Sequence, residues 1–448
     1  MTLTLQIFHG GRWQDAATLV FPSPEAGRGG PMQLEYEQRY ALEWQFHDDA
    51  HACSLVLPVD LMSVYRSSRW FGFLDDIMPA GASRRYWVSK LDLGHLPELQ
   101  QDYMLLRHGT IAPVGNLRIK ESLPELPEAS ILGKIRFGVS DVVERHTDFL
   151  EYAQEMGAAS GGATGAGGEA PKLLVRCSKN DQVWVDTFQD DLSTADTHYL
   201  VKFPRGNRTQ ADSDILRTEY YYYQELAALG MDTMDVGKMR LIEGEHYPSL
   251  WLPRFDVDFI DGQLTHYGLE SVYSILNKGP GAYLNHFDTL RTLIKLLTHQ
   301  FTVKELGLRF DSVSFAIEWV KRDLLNVVFG NSDNHGRNTA LIKRSTEIWL
   351  SPIYDFAPMK ADPEGIARTM KWGPPYEQGG QFDWYGIAQQ LSDVVEPEQL
   401  IAELKALCRQ LIGLKDRLII RGAPEHFLAK PALGLANLDA TLNRWKLL

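Results

Sequence analysis

The first quarter of the chain has the apolar and polar pattern of β-strands. Residues 3–8, 34–37 and 54–58 either alternate with a period of two or form short apolar runs, and turn-forming residues separate them. A helical pattern follows at residues 70–78. We therefore predict a β-rich unit at the start of the chain, with a short helix near its end.

A glycine-rich segment comes next. Residues 157–168 read GAASGGATGAGG and carry too few large side chains to pack. Strand-like runs follow at 173–175, 183–185 and 198–203. The combination predicts a glycine-rich hairpin laid over a sheet, and a flexible linker between domains is the alternative. Residues 123–130, with two prolines and several glutamates, are a second candidate for a linker.

The period changes to that of an amphipathic helix after Asp212. Asp212 or Ser213 is the expected N-cap of this helix, and Gly230 is its expected C-terminal cap. Residues from about 270 to 448 are predicted to be mainly helical. One face of the first helix carries apolar and aromatic residues interrupted by a single glutamate: Ile215, Glu219, Tyr222, Leu226 and Leu229.

The composition limits the class of protein. Of the 448 residues, 44% are hydrophobic, which suits two or three domains with buried cores and excludes a disordered chain. Three widely spaced cysteines exclude a disulfide framework and a cysteine-based zinc site. No apolar run reaches the length of a membrane span and no signal peptide is visible, so we expect a cytoplasmic protein without membrane contact. The net charge of −13 argues against unspecific binding of nucleic acid.

Lys202 is the first candidate for chemistry, because it lies in an apolar strand-like run where an unpaired ammonium is costly to bury. Glu219 is the charge that interrupts the apolar helix face. An ion pair between strand and helix explains both charges most simply. Protein kinases use such a pair to present an ammonium to nucleotide phosphates. The alternative is two edge residues whose charges reach water.

A polar loop between Gly330 and Thr339 is the second candidate. Asp333 and Asn338 have the D-x-x-x-x-N spacing of a kinase catalytic loop. In that loop the aspartate accepts the proton of the attacking hydroxyl, and the asparagine oxygen holds Mg²⁺. An ordinary turn rich in aspartate and asparagine is the alternative for this loop alone.

Asp355 is the third candidate, in an Asp-Phe-Ala triplet that follows a predicted strand at residues 347–350. Kinases place their main Mg²⁺ ligand in such a triplet, and a capping aspartate at a strand end is the alternative. The glycine-rich segment, strand lysine, helix glutamate, D-x-x-x-x-N loop and Asp-Phe pair follow one another in kinase order. We therefore predict a site for ATP and Mg²⁺.

Seven segments spread over nearly the whole chain carry a more specific resemblance. They are FLDDIMP at 73–79, GEAPKLL at 168–174, KFP at 202–204, TEYY at 218–221, RFD at 254–256, GNSDNHGRN at 330–338 and YDF at 354–356. On these motifs the chain resembles the HipA family of bacterial serine/threonine kinases, the toxins of type II toxin–antitoxin modules.

The resemblance implies an α+β, bilobal protein-kinase-like fold in three parts. A β-rich N-terminal subdomain would span residues 1–125, and a kinase N-lobe with the glycine-rich loop would span 126–260. A mainly helical C-lobe with the catalytic and metal-binding loops would span 261–448.

Residue by residue, the resemblance implies that Lys202 binds the nucleotide phosphates and that Glu219 positions this lysine. Asp333 would be the catalytic aspartate, and Asn338 and Asp355 would be the Mg²⁺ ligands.

Further residues receive roles from the same resemblance. Gly161, Gly162 and Lys172 would contact the phosphates, and His335 would brace the catalytic loop. Arg337 stands where the family usually has lysine, which retains the cation and allows bidentate contact with a phosphate.

The resemblance also implies a hinge against adenine, formed by Trp251, Leu252, Arg254 and Phe255. Pro253 has no N–H group, so Trp251, Leu252 or Arg254 must supply the main-chain contacts.

The glycine-rich segment is longer than the usual family pattern. Family members are silenced by autophosphorylation of a serine in this loop, and Ser160 is the only serine in the segment. Ser160 is therefore the candidate for autophosphorylation.

The leading hypothesis is an ATP- and Mg²⁺-dependent serine/threonine protein kinase of HipA-like toxin type. The resemblance implies a protein substrate such as an aminoacyl-tRNA synthetase. It also implies a helix-turn-helix antitoxin partner, through which any contact with DNA would be indirect. Two alternatives stay open: a small-molecule phosphotransferase, since antibiotic and choline kinases share the D-x-x-x-x-N loop, and a catalytically idle nucleotide-binding regulator that acts through a DNA-bound partner.

Overall fold

The computed structural model describes residues 1–124, 135–155, 171–260, 262–300, 307 and 310–448. Its N-terminal part is built on an antiparallel sheet in the order β4-β3-β2-β1-β5. The strands are β1 Thr2–His9, β2 Arg12–Val20, β3 Met32–Tyr36, β4 Val64–Ser67 and β5 Leu117–Ile119. Leu3, Leu5 and Ile7, alternate residues of β1, turn one face to the subdomain core, and Gln6 and Phe8 on the opposite face are buried as well. The strands predicted around residues 3–8 and 34–37 are therefore confirmed.

Short helices cover this sheet: α1 Gln38–Glu43, α2 Phe73–Ile77, α3 Gly81–Lys90 and α4 Glu98–Gly109. The helix predicted at residues 70–78 is present as α2. The strand predicted at 54–58 is wrong, because only an isolated bridge between Ser54 and Leu57 forms there. The N–H of Leu55 donates instead to the side chain of Glu270, far along the chain, at 2.8 Å.

A second antiparallel sheet follows in the order β10-β11-β9-β7-β8-β6. Its strands are β6 Phe137–Gly138, β7 Lys172–Cys177, β8 Gln182–Trp184, β9 Thr197–Lys202, β10 Arg240–Glu243 and β11 Pro248–Pro253. Its helices are α5 Val139–Val143, α6 Thr147–Glu155 and α7 Gln210–Ala228. The predicted glycine-rich hairpin at 157–168 lies outside the described residues, as does most of the predicted linker at 123–130.

Helix α7 begins three to four residues earlier than predicted. Its N-cap is Thr209, whose hydroxyl accepts from the Asp212 N–H at 3.3 Å, while the Asp212 carboxylate accepts from the Thr209 N–H at 2.8 Å. The expectation that Asp212 or Ser213 is the N-cap is therefore wrong. Gly230 has φ +74°, the left-handed conformation that commonly follows the last helical residue.

The remaining chain is mainly helical, as predicted. Its helices are α8 Val272–Ile275, α9 His286–His299, α10 Ser312–Val328, α11 Trp384–Gln390, α12 Pro397–Leu411, α13 Leu414–Arg421, α14 Glu425–Leu428 and α15 Leu438–Arg444. Its short strands are β12 Val257–Ile260, β13 Gln263–His266, β14 Gly268–Ser271, β15 Leu284–Asn285, β16 Ala340–Lys343, β17 Ile348–Leu350, β18 Met370–Lys371, β19 Glu377–Gln378 and β20 Gln381–Phe382. None of the helices in the described ranges combines the length and the apolar character needed to cross a bilayer.

Buried polar contacts attach the N-terminal subdomain to the helical lobe. The Glu270 carboxylate, 1% exposed, accepts from the Ser54 hydroxyl and the Leu55 N–H and lies 3.1 Å from the Lys343 ammonium. Asp76 of α2 accepts from the N–H of Ser271 at 2.7 Å. A buried charge is tolerated only with such partners, so these contacts set the position of the subdomain. The domain boundaries at 125 and 260 stay predictions.

Candidate active site

A buried ammonium joins two carboxylates from distant parts of the chain. The Nζ atom of Lys202, at the end of β9, lies 2.6 Å from Glu219 Oε1 of α7 and 2.6 Å from Asp355 Oδ1. The side chains of Lys202 and Glu219 are both almost fully buried. The predicted ion pair between strand lysine and helix glutamate is therefore present, and Asp355 shares its ammonium.

The local sequence explains why these groups meet. Strand β9 is central in the second sheet, where Lys202 pairs with Lys172 of β7 and Leu250 of β11. The apolar face of α7, which includes Tyr222 and Leu226, packs into the main hydrophobic core. Glu219 lies on that same face, so its carboxylate is carried into the interior rather than into water.

A second lysine approaches the same aspartate from the neighbouring strand. Lys172 Nζ lies 3.4 Å from Asp355 Oδ2. Burial lowers the pKa of Lys172, and the charge of Asp355 offsets only part of this effect. Burial also lowers the pKa of Lys202, but Asp355 and Glu219 outweigh it and hold this pKa above its usual value. Burial raises the pKa of Asp355, whereas the two lysines outweigh it and hold the carboxyl ionised.

The backbone at Asp355 turns sharply, with φ +51°. The N–H of the next residue, Phe356, donates to the hydroxyl of Tyr223 at 3.2 Å. The same hydroxyl donates to Glu219 Oε1 at 3.2 Å. Tyr223, on α7, therefore connects the helix glutamate to the turn that carries Asp355.

Replacing Tyr223 by phenylalanine removes this connection without leaving a cavity. We expect Tyr223→Phe to lower the free energy of unfolding by about 1 kcal/mol, the usual value of one buried hydrogen bond. Tyr222→Phe is the matched control, because its buried hydroxyl donates to the Phe329 carbonyl at 2.9 Å, away from the lysine. Denaturation should show similar losses of stability in both variants, and if the site binds ATP as the sequence predicts, only Tyr223→Phe should weaken that binding in titration calorimetry. Equal ATP affinities in the two variants would refute the connection.

The polar loop brings Asp333 and Asn338 together. Asn338 donates its side-chain Nδ2 to the main-chain oxygen of Asp333 at 2.9 Å, and its main-chain N–H to the oxygen of His335 at 2.9 Å. Because the amide nitrogen is used inside the loop, the amide oxygen is the group that could hold a cation. The carboxylate of Asp333 is 34% exposed, and Asp333 Oδ1 lies 3.3 Å from His335 Nε2.

The electrostatic surroundings suit Asp333 to proton transfer. Burial raises the pKa of Asp333 above its ordinary value, His335 acts in the opposite direction, and Asp355 adds to the rise. Burial likewise lowers the pKa of His335, against the effect of Asp333. The two aspartates therefore have pKa values shifted in opposite directions, which is a common arrangement where one carboxylate moves a proton and another stays ionised.

The loop is held on both sides. The ring of His335 lies 6.0 Å from that of Tyr273 and 8° from parallel to it. The hydroxyl of Tyr354 donates to the main-chain oxygen of Arg337 at 2.6 Å. Gly336 allows the close approach, because a Cβ there would lie 2.4 Å from the Tyr273 ring.

An apolar cleft with an empty volume of about 410 Å³ opens beside Lys202 and Asp355. Its apolar walls come from three parts of the chain: Val114, Leu200, Met234, Leu252 and Leu269. Val114 belongs to the N-terminal subdomain, so the subdomain contributes directly to the cleft.

The predicted hinge lies only partly on this cleft. Leu252, Arg254 and Phe255 line it, whereas the side chain of Trp251 is fully buried on the other face of the sheet, against Tyr199. The N–H of Arg254 already donates to the carbonyl of His198 at 2.9 Å, as part of the strand pairing. The Arg254 guanidinium binds Asp256. The predicted loop residues Ser160, Gly161 and Gly162 lie outside the described residues.

Sequence reasoning missed Asp323, whose carboxylate anchors the polar loop through Asn334. This aspartate of α10 is 1% exposed, and its Oδ1 accepts from Asn334 Nδ2 at 2.9 Å and from Arg368 at 2.8 Å. Its Oδ2 accepts from Trp372 Nε1 at 2.7 Å. A charge within the apolar face of a predicted helix was the available signal, the same signal that identified Glu219.

Asp76 of α2 is a second buried acid that the sequence did not single out. Within the described residues, its Oδ1 has no hydrogen-bond partner, and neither has the Nε of Arg337. Burial raises the pKa of Asp76 to about 7, against the effects of Arg337 and the Ser271 N–H. The N-terminal subdomain therefore places a weakly acidic group near Arg337 of the polar loop.

The raised pKa of Asp76 predicts a pH-dependent stability. The folded protein keeps a proton that the unfolded chain releases above the ordinary pKa of 3.8, so stability falls as pH rises from there to about 7. We expect Asp76→Asn to increase the free energy of unfolding at pH 8 by on the order of 1–3 kcal/mol, and to have little effect below pH 4. Urea denaturation across this range measures the difference.

The adjacent Asp75→Asn is the control for this prediction. Asp75 pairs with the partly exposed Arg28 at 3.0 Å, so its replacement should not stabilise the protein at any pH. A stability gain of Asp76→Asn that does not change with pH would contradict the proposed titration.

The fold and the site together define the class of the protein. A β-sheet lobe with a buried lysine–glutamate pair faces, across an apolar cleft, a helical lobe that carries the aspartate loop and Asp355, which is a protein-kinase-like architecture. Residues 164–412, more than half of the chain, match the family of the HipA-like C-terminal domain. The chain belongs to the HipA family.

Individual relatives agree with this assignment. The toxin YjjJ of Escherichia coli K12 is 25% identical over 271 residues, which cover 58% of this chain and 54% of that protein. The chain thus matches about half the length of this curated relative. The solved structure of HipA from Shewanella oneidensis, in a complex with HipB and operator DNA, has a TM-score of 0.65 at 16% identity and covers 98% of this chain and 97% of its own. This match shows the predicted fold.

A further solved structure is less similar. The Helicobacter pylori proinflammatory kinase CtkA has a TM-score of 0.38 at 13% identity, and the match covers 62% of this chain and 92% of that protein.

Proposed function

We propose that this protein is an ATP- and Mg²⁺-dependent kinase that phosphorylates serine or threonine hydroxyls of a protein. The observation that carries the proposal is the Lys202 ammonium held between Glu219 and Asp355 at the edge of the apolar cleft. Phosphoryl transfer requires positioning and charge neutralisation more than covalent chemistry, and this arrangement offers both.

The residues present fit a nucleotide and its metal ion. The apolar walls of the cleft suit a flat base, and the Lys172 and Lys202 ammonium groups beside it suit the phosphates. Asp355 and Asn338 offer the carboxylate and amide oxygens that Mg²⁺ prefers. When bound, Mg²⁺ supplies charge neutralisation of the phosphate oxygens.

Each residue of the proposed site has a different role in the reaction. Lys202, oriented by Glu219, binds phosphate oxygens, and Arg337 adds a cation on the catalytic loop. Asp333 accepts the proton of the protein hydroxyl as its oxygen attacks the γ-phosphorus and ADP leaves with the bond electrons. His335 Nε2 lies 3.3 Å from the Asp333 carboxylate and orients it. The side chain of Asn338 donates to the main-chain oxygen of Asp333 and so fixes the shape of the loop.

We further propose that the kinase acts as a toxin with a helix-turn-helix antitoxin as partner. Its family membership supports this, as does the fold shared with the Shewanella HipA that was solved with HipB and operator DNA. With a net charge of −13, the chain would reach DNA through the basic surface of that partner. This role would be cytoplasmic.

The test is phosphate transfer by the purified full chain with ATP and Mg²⁺, in the presence of host aminoacyl-tRNA synthetases. We expect phosphoserine or phosphothreonine on a synthetase or on the chain itself, with Ser160 as the first site to inspect by mass spectrometry. Asp333→Asn is the inactive control. ATP turnover only with a hydroxylated metabolite would replace the proposal by a small-molecule phosphotransferase. Nucleotide binding without turnover would replace it by an idle regulator.

A second test addresses the partner. We expect a helix-turn-helix protein encoded beside this chain to co-purify with it and to bring it onto operator DNA. A chain that binds the same DNA without such a protein would contradict the indirect contact.

A further inference from the structure

Three histidines and one aspartate meet in the N-terminal subdomain, away from the cleft. His9 is the last residue of β1, and His47, Asp49 and His51 lie in the loop after α1. One ligand atom each of His47, Asp49 and His51 lies within 4.8 Å of the others. All four side chains are largely removed from solvent or half-buried, so this is an enclosed cluster rather than a patch of surface histidines.

The distances match those between ligands of one metal ion. His51 Nε2 lies 3.4 Å from His9 Nε2. Two nitrogens bound to one tetrahedral zinc ion at about 2.0–2.1 Å are about 3.4 Å apart. The Asp49 carboxylate lies on the other side of the rings, 3.3 Å from His47 Nδ1 and 2.8 Å from His51 Nδ1.

The hydrogen bond of His51 to Asp49 leaves a lone pair on the His51 nitrogen that faces His9. When His51 donates its Nδ1 proton to Asp49 at 2.8 Å, its Nε2 carries the lone pair and faces His9. A carboxylate that accepts the second ring proton is the usual companion of a metal-bound histidine, because it fixes the ring and makes it more basic.

The surrounding structure holds this cluster in place. The indole of Trp44 stacks on His51 with ring centroids 3.7 Å apart and also contacts the ring of His9 at 4.8 Å. The Tyr40 hydroxyl donates to the main-chain oxygen of His51 at 2.7 Å. The ligands are therefore presented by a braced loop, which reduces the ordering that metal binding requires.

We propose that the imidazoles of His9, His47 and His51 bind one late first-row divalent metal ion, of which zinc is the representative, while Asp49 fixes the His47 and His51 rings from their Nδ1 side. Imidazole is a ligand that such ions share, whereas Mg²⁺ does not prefer it. This site is separate from the proposed Mg²⁺ site and does not depend on the kinase activity.

The ion would join the β1–β2 hairpin to the loop that contacts the helical lobe. In that loop the main-chain oxygen of Asp48 accepts from Gln300 Nε2 at 3.1 Å, and that of Ala50 accepts from Asn116 Nδ2 at 2.8 Å. The metal therefore has a structural role: it stabilises the attachment of the N-terminal subdomain.

The test is titration of the metal-free full chain with Co²⁺, which absorbs visibly when bound by few nitrogen and oxygen ligands, and displacement by Zn²⁺. We expect one ion per chain, and an affinity at least about 10–100-fold lower in His51→Gln and in Asp49→Asn. His95→Gln, an exposed histidine of the same subdomain, is the matched control and should bind as the unchanged protein does. No stoichiometric binding, or equal binding by His51→Gln, would overturn the proposal.

Thermal unfolding provides a readout that does not rely on absorption. Zn²⁺, but not Mg²⁺, should raise the Tm of the unchanged protein and of His95→Gln, and should leave the Tm of Asp49→Asn nearly unchanged. An equal rise in all three would also overturn the proposal. If His51→Gln does not fold, His9→Gln takes its place, because His9 lies at the edge of a hairpin.

Discussion

Asp333→Asn is expected to reduce phosphoryl transfer by about 10²–10⁴-fold, the usual contribution of a general base. The variant keeps the shape of the side chain but cannot accept a proton. Because burial raises the pKa of Asp333, the activity of the unchanged protein should fall as pH is lowered through a value above that of an ordinary aspartate. The ionised form is the active form, so the loss lies on the acid side of the pH profile. Initial rates of phosphate transfer across pH measure both effects.

Asp311→Asn is the control for this variant. Asp311 is exposed, caps the N-terminus of α10, and asparagine caps a helix equally well. Its transfer rate should equal that of the unchanged protein. Asp333→Asn should also bind ATP with nearly unchanged affinity, since Lys202 and the cleft are untouched. Near-normal transfer by Asp333→Asn would remove Asp333 from the mechanism.

Asp323→Asn is expected to destabilise the protein by about 3–5 kcal/mol, the usual result of removing one partner of a buried ion pair. The change removes one of the two carboxylate partners of the buried Arg368 guanidinium and leaves only Glu377, at 3.3 Å. It also replaces one acceptor oxygen by a donor that faces other donors, Asn334 Nδ2 or Trp372 Nε1. Because Asn334 adjoins Asp333, transfer should fall together with stability. Urea denaturation and the transfer assay are the two measurements.

The control for Asp323→Asn is an Arg–Asp pair of similar geometry at the surface. Arg291 and Asp393 lie 2.9 Å apart with side chains 37% and 54% exposed, so Asp393→Asn should cost no more than about 1 kcal/mol. Burial raises the pKa of Asp323, but Arg368 and His286 outweigh it and lower the pKa below its ordinary value. Its stabilising contribution is therefore present at neutral pH and decreases as pH falls through the acid range. A stability loss no larger than that of Asp393→Asn would contradict the anchoring role.

Short-range patterns predicted much of the candidate site. The spacing of Asp333 and Asn338 places both in one loop, because five residues cannot separate them widely. Lys202 and Glu219 could be paired because each is a single charge in an apolar stripe of adjacent elements. The helix-start signal was also present at Thr209, whose T-x-x-D spacing to Asp212 is that of a capping box.

Contacts between residues far apart in the chain could not be predicted from the sequence. A charge in an apolar face shows that a partner exists but does not name it: Arg368 is 45 residues from Asp323, and Ser271 is 195 residues from Asp76. The wrong strand at 54–58 has the same cause. Leu55 packs into the main core and its N–H binds Glu270, whereas Leu57 packs into the core of the N-terminal subdomain, so burial arises without strand pairing.

The shared ammonium of Lys202 has one further consequence, which follows from counting its protons. An ammonium has three N–H donors, and Glu219 and Asp355 take two of them. The third would remain for a phosphate oxygen of the proposed nucleotide, which the site would then receive without breaking either contact. The two lobes would therefore not need to separate at Lys202 when a nucleotide binds. The contacts of Lys202 with Glu219 and Asp355 would persist throughout turnover.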